Sequence, residues 1–289
     1  TPSLMNFQQQ GVGAVLYPLI KKMRESVSIL DFGAVGDGVT DCYDAFMAAI
    51  DSRSFGSWVY LSGGTIEIPL GNFYVSKTIN LKKQIKFVGC AGAYGYSGGS
   101  TITFAAGQHG FIVHSYNTVE SGTESTPTGS GGGSVFEGLI ITNKSNTVGA
   151  TYGIWMRGGA VIRDCYVSGF SSHNIYINAA AGVGGLLEGN ANCWYIEHTR
   201  SAFSGGNGIH IQGADANAGN GIALDCANNV GYGIADYSFL GNTYSGCHTA
   251  DNGTSTTKPS IVYYGGRVYW IRFTYNTYIT FMGINYLYV

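Results

Sequence analysis

Charge is scarce in this sequence. Only 11% of its 289 residues are Asp, Glu, Lys or Arg, against a usual value of about 25%. The net charge of -2 gives no general attraction to nucleic acid or to an anionic membrane surface. Proline is rare at five residues, and the glycines follow no three-residue period, so a collagen-like chain is excluded. No apolar run reaches the roughly 18 residues that cross a bilayer. The opening Thr1-Pro2-Ser3 lacks the basic and apolar parts of a signal peptide. The six cysteines, Cys42, Cys90, Cys165, Cys193, Cys226 and Cys247, include no C-x-x-C pair, and Cys247-His248 has no second pair at zinc-ligand spacing. They read as buried thiols used as small apolar residues. No metal site and no cofactor is expected.

Glycine is what the chain has in excess, with 45 residues, beside 45% hydrophobic and 13% aromatic residues. That composition supplies a core and excludes disorder. It points to an all-β protein with many turns.

Three segments follow one another. In residues 1–26, Val15, Leu16, Leu19, Ile20 and Met23 recur at helical spacing between Lys21, Lys22 and Arg24, a narrow amphipathic stripe that must pack on the main body or on copies of itself. The run Val27-Ser28-Ile29-Leu30-Asp31-Phe32-Gly33-Ala34-Val35-Gly36-Asp37-Gly38-Val39-Thr40-Asp41 is an apolar strand ending in a Gly-rich turn. Asp41 is placed to cap a short helix whose face is Tyr43, Phe46, Ala49 and Ile50. From Gly63 onward come short strands such as Thr65–Ile68, Thr78–Leu81, Ile85–Val88, Thr101–Phe104 and Phe111–Val113, each bounded by turn residues.

After about residue 135 the sequence resembles itself. An [Asn/Tyr]-Gly-Ile signature recurs at Tyr152–Ile154, Asn207–Ile209, Asn220–Ile222 and Tyr232–Ile234, and Phe170–Ile177 aligns with Phe203–Ile211 with one insertion. Short strands at a loose period of about 33 residues, with no helices between them, imply a parallel β-helix whose coils stack. With three strands per coil, one set begins near Val161, Tyr195 and Ile234, a second includes Ile175 and Ile209, and a third Leu186 and Ile222.

The run from Phe7 to Ile50, with the continuation Gly63-Gly64-Thr65-Ile66-Glu67-Ile68-Pro69-Leu70-Gly71-Asn72-Phe73-Tyr74, resembles the entry segment of phage tailspikes and polysaccharide depolymerases with the pectate-lyase-like β-helix. The resemblance covers residues 7–90 by motif and the remainder by repeat style. It implies a right-handed parallel β-helix over residues 27–264 with a capping helix, a neck or arm over 1–26, and a strand-rich end over 265–289 that reads as cut short. It also implies a phage tail setting in the virion, a homotrimer, and attachment to other tail proteins through the N-terminal arm.

A polysaccharide hydrolase needs one carboxylic acid to protonate the leaving oxygen and one carboxylate to activate water or attack. Asp164, Glu188, Glu197, Asp215, Asp225, Asp236 and Asp251 lie in a stretch where Arg200 is the only Lys or Arg. In the phasing above, Asp164, Glu197 and Asp236 share one face, and Glu188 and Asp225 form a second column. The expected catalytic pair is Glu197 with Asp236, followed by Asp164 and Asp225, since Trp194, Tyr195 and His198 would wall Glu197. Trp155, Tyr176, Trp194, Tyr195, His198, Arg200 and His210 are the expected sugar contacts, with Tyr232 as a further ring. The Asn-Thr-Asp, Asp-Asp, Gly-His-Gly and Arg-Ile-Lys motifs of polygalacturonases are absent, as is a calcium-binding acidic cluster with a catalytic base. The sequence therefore reads as a spike that binds a bacterial surface polysaccharide and hydrolyses it. The alternatives are a spike that binds without cleaving, and a lyase.

Overall fold

A computed structural model describes residues 5–53, 63–91, 98–115, 130–179, 189–253, 261–263 and 279–281. Its body is three eight-stranded sheets. The first contains Ser26–Ser28, Gly63–Glu67, Gln84–Val88, Val135–Glu137, Val161–Arg163, Tyr195–Glu197, Asn220–Ile222 and Thr243–Ser245. The second contains Asp37–Asp41, Gly71–Val75, Ser100–Phe104, Ile140–Asn143, Tyr166–Ser168, Arg200–Ala202, Asp225–Ala227 and His248–Ala250. The third contains Ile79–Leu81, Phe111–Val113, Tyr152–Met156, His173–Asn178, Asn207–Gly213, Ile234–Ser238, Ile261–Tyr263 and Ile279–Phe281. All pairings within these sheets are parallel. The chain visits the sheets in turn, so each circuit adds one rung to a parallel β-helix.

Alternation along each strand decides which side chains enter the coil. Inward positions stack apolar groups from rung to rung, as in Val113, Met156, Ile177 and Ile211 of the third sheet. Phenylalanines fill the lower coil: Phe87 packs on Phe111 and Phe136 at 5.3 and 5.7 Å between ring centroids, and Phe111 on Phe104 at 5.3 Å.

The corner between the first and second sheets is uniform over five successive rungs. Two residues make each turn, and the first is left-handed: Gly138, Asp164, His198, Ala223 and Gly246, with φ between 43 and 65°. The second, Leu139, Cys165, Thr199, Leu224 or Cys247, is buried. The first four of the left-handed residues donate their N–H to the next rung, as Asp164 does to Glu197 O at 3.2 Å and His198 to Ile222 O at 2.9 Å.

The helix Tyr43–Asp51 closes the N-terminal end, burying Ala45, Phe46, Ala49 and Ile50. Asp41 accepts its first N–H, from Tyr43 at 3.0 Å, and ties it to the sheet through Ser76 N at 3.0 Å. The amphipathic stripe of the arm is helical only over Leu19–Met23, because Asn6–Phe7 pairs antiparallel with Tyr17–Pro18 and uses the preceding residues in a hairpin. No residue of that helix is buried. All six cysteines are free; four are buried as expected, while Cys90 and Cys193 are exposed.

Two features of the expected phasing are corrected. Val161 and Tyr195 are partners, but Ile234 belongs to the third sheet, stacked on Ile175 and Ile209. The rungs are also unequal, Ile175 to Ile209 spanning the 34-residue offset and later rungs 25 or 23. Ile222 lies on the first sheet above Glu197. Leu186, Glu188 and the C-terminal stretch 265–289, apart from the strand at 279–281, lie outside the described residues.

Candidate functional site

The expected pair of Glu197 and Asp236 is not assembled. Glu197 points outward from the first sheet, whereas Asp236 occupies an inward position of the third, above Ile211, and is fully buried. Its carboxylate accepts from Ser238 N at 2.9 Å, Asn242 Nδ2 at 2.9 Å and Tyr244 O–H at 2.8 Å. Burial pushes its pKa up, against those hydrogen bonds. A polymer cannot reach it, so Asp236 is a core residue. Trp194 is corrected in the same way: it is fully buried, packs 6.2 Å from Tyr244 and makes no wall for Glu197. What flanks Glu197 instead is a ladder of ion pairs, with Arg163 Nε at 3.1 Å, Arg163 to Glu137 at 3.9 Å and Glu137 to Lys86 at 3.0 Å. Tyr195 is half-buried on the same sheet.

Asp164, Glu197 and Asp225 lie on three successive rungs at or beside the two-residue corner, each with its own partner. Asp164 and His198 are the left-handed residues of neighbouring rungs, and their side chains meet at 2.6 Å. One register position into the second sheet, Tyr166, Arg200, Asp225 and His248 stack in a column. Arg200 lies 5.9 Å over the Tyr166 ring, and Asp225 receives it at 3.4 Å and His248 at 2.9 Å. Arg200 is nearly buried in this array, which makes it a positioning cation more than an open sugar contact.

The third sheet presents a different outer face. Trp155, Tyr176 and His210 are register partners on three successive rungs. The column beside them holds Tyr152, His173 and Asn207, also partners. On the other side, Asn178, Gln212 and Tyr237 align. Ring centroids lie 4.3 Å apart for Tyr152 and Tyr176, 5.7 Å for Trp155 and Tyr176, 4.3 Å for His173 and His210, and 5.3 Å for His210 and Tyr237. His109 continues the stack, 5.1 Å from Tyr152.

Polar groups tie these rings together. Gln212 Nε2 and Asn178 Nδ2 donate to the Tyr176 hydroxyl at 2.5 and 2.8 Å. His210 Nε2 meets Gln212 Oε1 at 3.1 Å, and its Nδ1 meets Asn207 Nδ2 at 2.7 Å. His173 Nδ1 accepts the Asn207 N–H and His109 Nδ1 the Tyr152 N–H, each at 3.1 Å. Burial lowers all three histidine pKa values, that of His173 to about 3 with help from His210. These rings are therefore neutral hydrogen-bonding groups at physiological pH. Trp155 Nε1–H is covered and has no acceptor among the described residues, a donor that a ligand oxygen or a water would satisfy.

Of the expected sugar contacts, Trp155, Tyr176 and His210 thus lie together, with Tyr176 buried between its neighbours and so a support for them more than an open contact; Tyr195, His198 and Arg200 belong to the first and second sheets, and Trp194 is inside. His109, Tyr152, His173, Asn178, Gln212 and Tyr237 were not expected. A signal was available for Tyr152 alone, as the first residue of the [Asn/Tyr]-Gly-Ile signature, which faces out there and at Asn207; the others follow from the register.

Comparison with known proteins gives three kinds of match. A sequence profile of the family described as "Rhamnogalacturonase A/epimerase, pectate lyase-like" matches residues 26–251. The tail spike protein of Shigella phage Sf6 is 46% identical over 59 residues, 20% of this chain and 9% of that protein. Among solved structures, ORF18 of Geobacillus virus E2 is similar at a TM-score of 0.60 and 17% identity, over 91% of this chain and 54% of that one. The DFA-IIIase of Arthrobacter chlorophenolicus A6 is similar at 0.54 and 14%, over 85% and 64%. The chain thus spans about half of the viral structure it matches and a small part of the tail spike protein. At these identities the structural likenesses establish the fold.

Proposed function

The chain belongs to the rhamnogalacturonase A/epimerase, pectate lyase-like family, and on that premise we propose that it is the β-helix of a phage tailspike that binds and cleaves a bacterial surface polysaccharide. The observation that carries the binding reading is the ring-lined outer face of the third sheet. Sugar rings have apolar C–H faces and polar edges. Flat rings at Trp155, Tyr152 and His173 offer surfaces to cover, while Asn178, Asn207 and Gln212 offer hydrogen-bond partners beside them. The viral setting is supported by the similarity to the Sf6 tail spike protein.

Cleavage by hydrolysis draws on Asp164, Glu197 and Asp225 at the corner. Asp164 and Glu197 lie on adjacent rungs, Asp164 following Arg163, the register partner of Glu197, so the two carboxylates leave the same edge of the coil. A second reading, β-elimination, has its own support. Among the described residues the outer face of the third sheet carries no carboxylate but does carry neutral imidazoles, the Tyr176 hydroxyl and Arg157. Elimination needs a proton acceptor and a cation where hydrolysis needs two acids. The same proposal makes the arm, where Val12, Val15, Leu16 and Met23 are exposed, the contact between three copies of the chain and with other tail proteins.

Incubating the protein with purified O-antigen and capsular polysaccharides tests all of this. New reducing ends without the ultraviolet absorbance of an unsaturated sugar mean hydrolysis, and with it elimination. Retention without new ends leaves binding alone, and no retention of any polymer overturns the reading. Light scattering gives the number of copies.

A further inference from the structure

Phe170 and Phe203 look equivalent in the sequence, but the structure separates them. Ile175 pairs with Ile209, and Ser168 with Ala202, at the same 34-residue offset. No residue is inserted between the two rungs. Phe170 therefore corresponds to Ser204, and both are fully buried. Phe203 takes the place of Gly169.

That place is the left-handed corner between the second and third sheets. Successive rungs fill it with Gly169 at φ 77°, Phe203 at 57°, Asn228 at 56° and Asp251 at 52°. Glycine, asparagine and aspartate adopt this geometry readily, whereas a bulky side chain in it is an outlier. The other non-glycine residues with positive φ among those described are Asp, Ala, Asn, Cys and His. Phe203 alone is a large apolar residue there, and with 49% of it exposed only about half of the ring is covered by the chain. Strain held for so small a packing return points to a use outside the chain.

The surroundings say what kind of use. Asn146 Nδ2 reaches over the short turn 169–172 to donate to Phe203 O at 3.4 Å, which brings the loop 144–151 alongside. Val148 on that loop is 48% exposed, and Val230 on the following rung 44%. The corner at Phe203 adjoins the ring-lined face through Asn207, which begins the same strand as His210. It does not lie in line with it, however. A polymer resting on Trp155 and His210, on either side of the buried Tyr176, runs along the coil axis, because register partners stack in that direction. Phe203 is displaced sideways, along the strand direction and around the corner. A group that touches it must project laterally from the main chain.

Resting on the proposed glycan-binding face, we infer that Phe203 is a specificity-determining contact for a branch sugar, and that the substrate class is a branched polysaccharide. Its main chain covers the third sheet and its side branch stacks on the exposed ring. The test uses Phe203→Gly and Trp155→Ala. The probes are purified branched O-antigen and capsular polysaccharides, and the same polymers after enzymatic removal of their branches. Phe203→Gly is expected to keep or raise the melting temperature, since it relieves the left-handed strain. It should weaken binding of the branched polymer about tenfold, the scale of one lost ring contact, and leave the debranched polymer unchanged. Trp155→Ala should weaken both. If Phe203→Gly binds the branched polymer like the parent while Trp155→Ala loses it, the branch assignment is wrong and the glycan face stands. If Phe203→Gly weakens both polymers equally, or changes the oligomer mass, the ring is a main-chain or subunit contact and the assignment again fails. If Trp155→Ala loses neither, the glycan face falls and the branch contact with it.

Discussion

Replacing Asp236 by leucine probes the one carboxylate that the coil encloses among the described residues. Leucine fits, because the rungs below put Ile211 and Ile177 at the same inward position. What it removes is the acceptor for Ser238 N–H and for the Tyr244 hydroxyl, while Asn242 Nδ2 keeps Ala216 O and Ser238 Oγ within 3.1 Å. Two buried donors that lose this carboxylate cost about 1–3 kcal/mol each, and the extra apolar burial returns about 1–2 kcal/mol, so the net loss is ~2 kcal/mol. Tyr244→Phe should therefore cost ~1 kcal/mol more in the parent than in the leucine background, a coupling that a double-mutant cycle reads directly. The pH dependence follows from the raised pKa. Because the folded chain holds the Asp236 proton more tightly than the unfolded chain, the stability this gives is full below the unfolded value of about 3.9. It is lost as pH rises through the folded value, so the gap between parent and leucine variant narrows toward neutrality. Urea unfolding followed by tryptophan emission, to which Trp194, 6.2 Å from Tyr244, contributes, measures all three quantities. A leucine variant as stable as the parent at every pH, or a Tyr244→Phe effect of the same size in both backgrounds, refutes the account.

Three further outcomes are expected. Gly219→Ala should lower stability by about 3 kcal/mol in thermal unfolding, because an added Cβ would lie 2.0 Å from Trp194 Cε2 inside the packed core; an unchanged melting temperature contradicts that packing. Iodoacetamide at about pH 8 should label Cys90 and Cys193 in the native protein and spare the other four until denaturation, since burial raises their thiols, Cys165 to about 12; native labelling of Cys165 by mass spectrometry would sink this. His173 should show no imidazole titration by NMR between about pH 5 and 8, and glycan retention should stay flat over that interval, because burial holds the ring neutral down to about 3; a titration near 6.5 would contradict it.

Much of the fold was legible because a coil repeats its chemistry. The alternation in Phe111–Val113 or Ile85–Val88 can be read strand by strand, and the helix face around Phe46 has its own period. The pairing of Ile175 with Ile209 was visible for the same reason. The candidate site was harder, because side-chain direction depends on corner lengths that sequence similarity blurs. Misplacing Ile234 by one sheet put Asp236 beside Glu197, when it lies inside a different wall. Trp194 looked like part of a sugar wall from its neighbours Tyr195 and Glu197, yet it precedes the strand and turns inward over Gly219. The grouping of Trp155, Tyr176 and His210 could be named residue by residue, but their union with Tyr152 and His173 required the register.

The two-residue corner has a further meaning. At Gly138, Asp164, His198, Ala223 and Gly246 the chain takes the same short step five times, while the corner after the second sheet is crossed by segments as different as 144–151, 169–172 and 228–233. One corner keeps count and another is free. A single residue added beside His198 would turn the following strand inside out, exchanging Ser201 for Arg200 in the core. A loop of any length grafted between Asn143 and Tyr152 meets no such constraint. New recognition surfaces can therefore be exchanged along one edge of the column, rung by rung, while the seam opposite holds the stack in register.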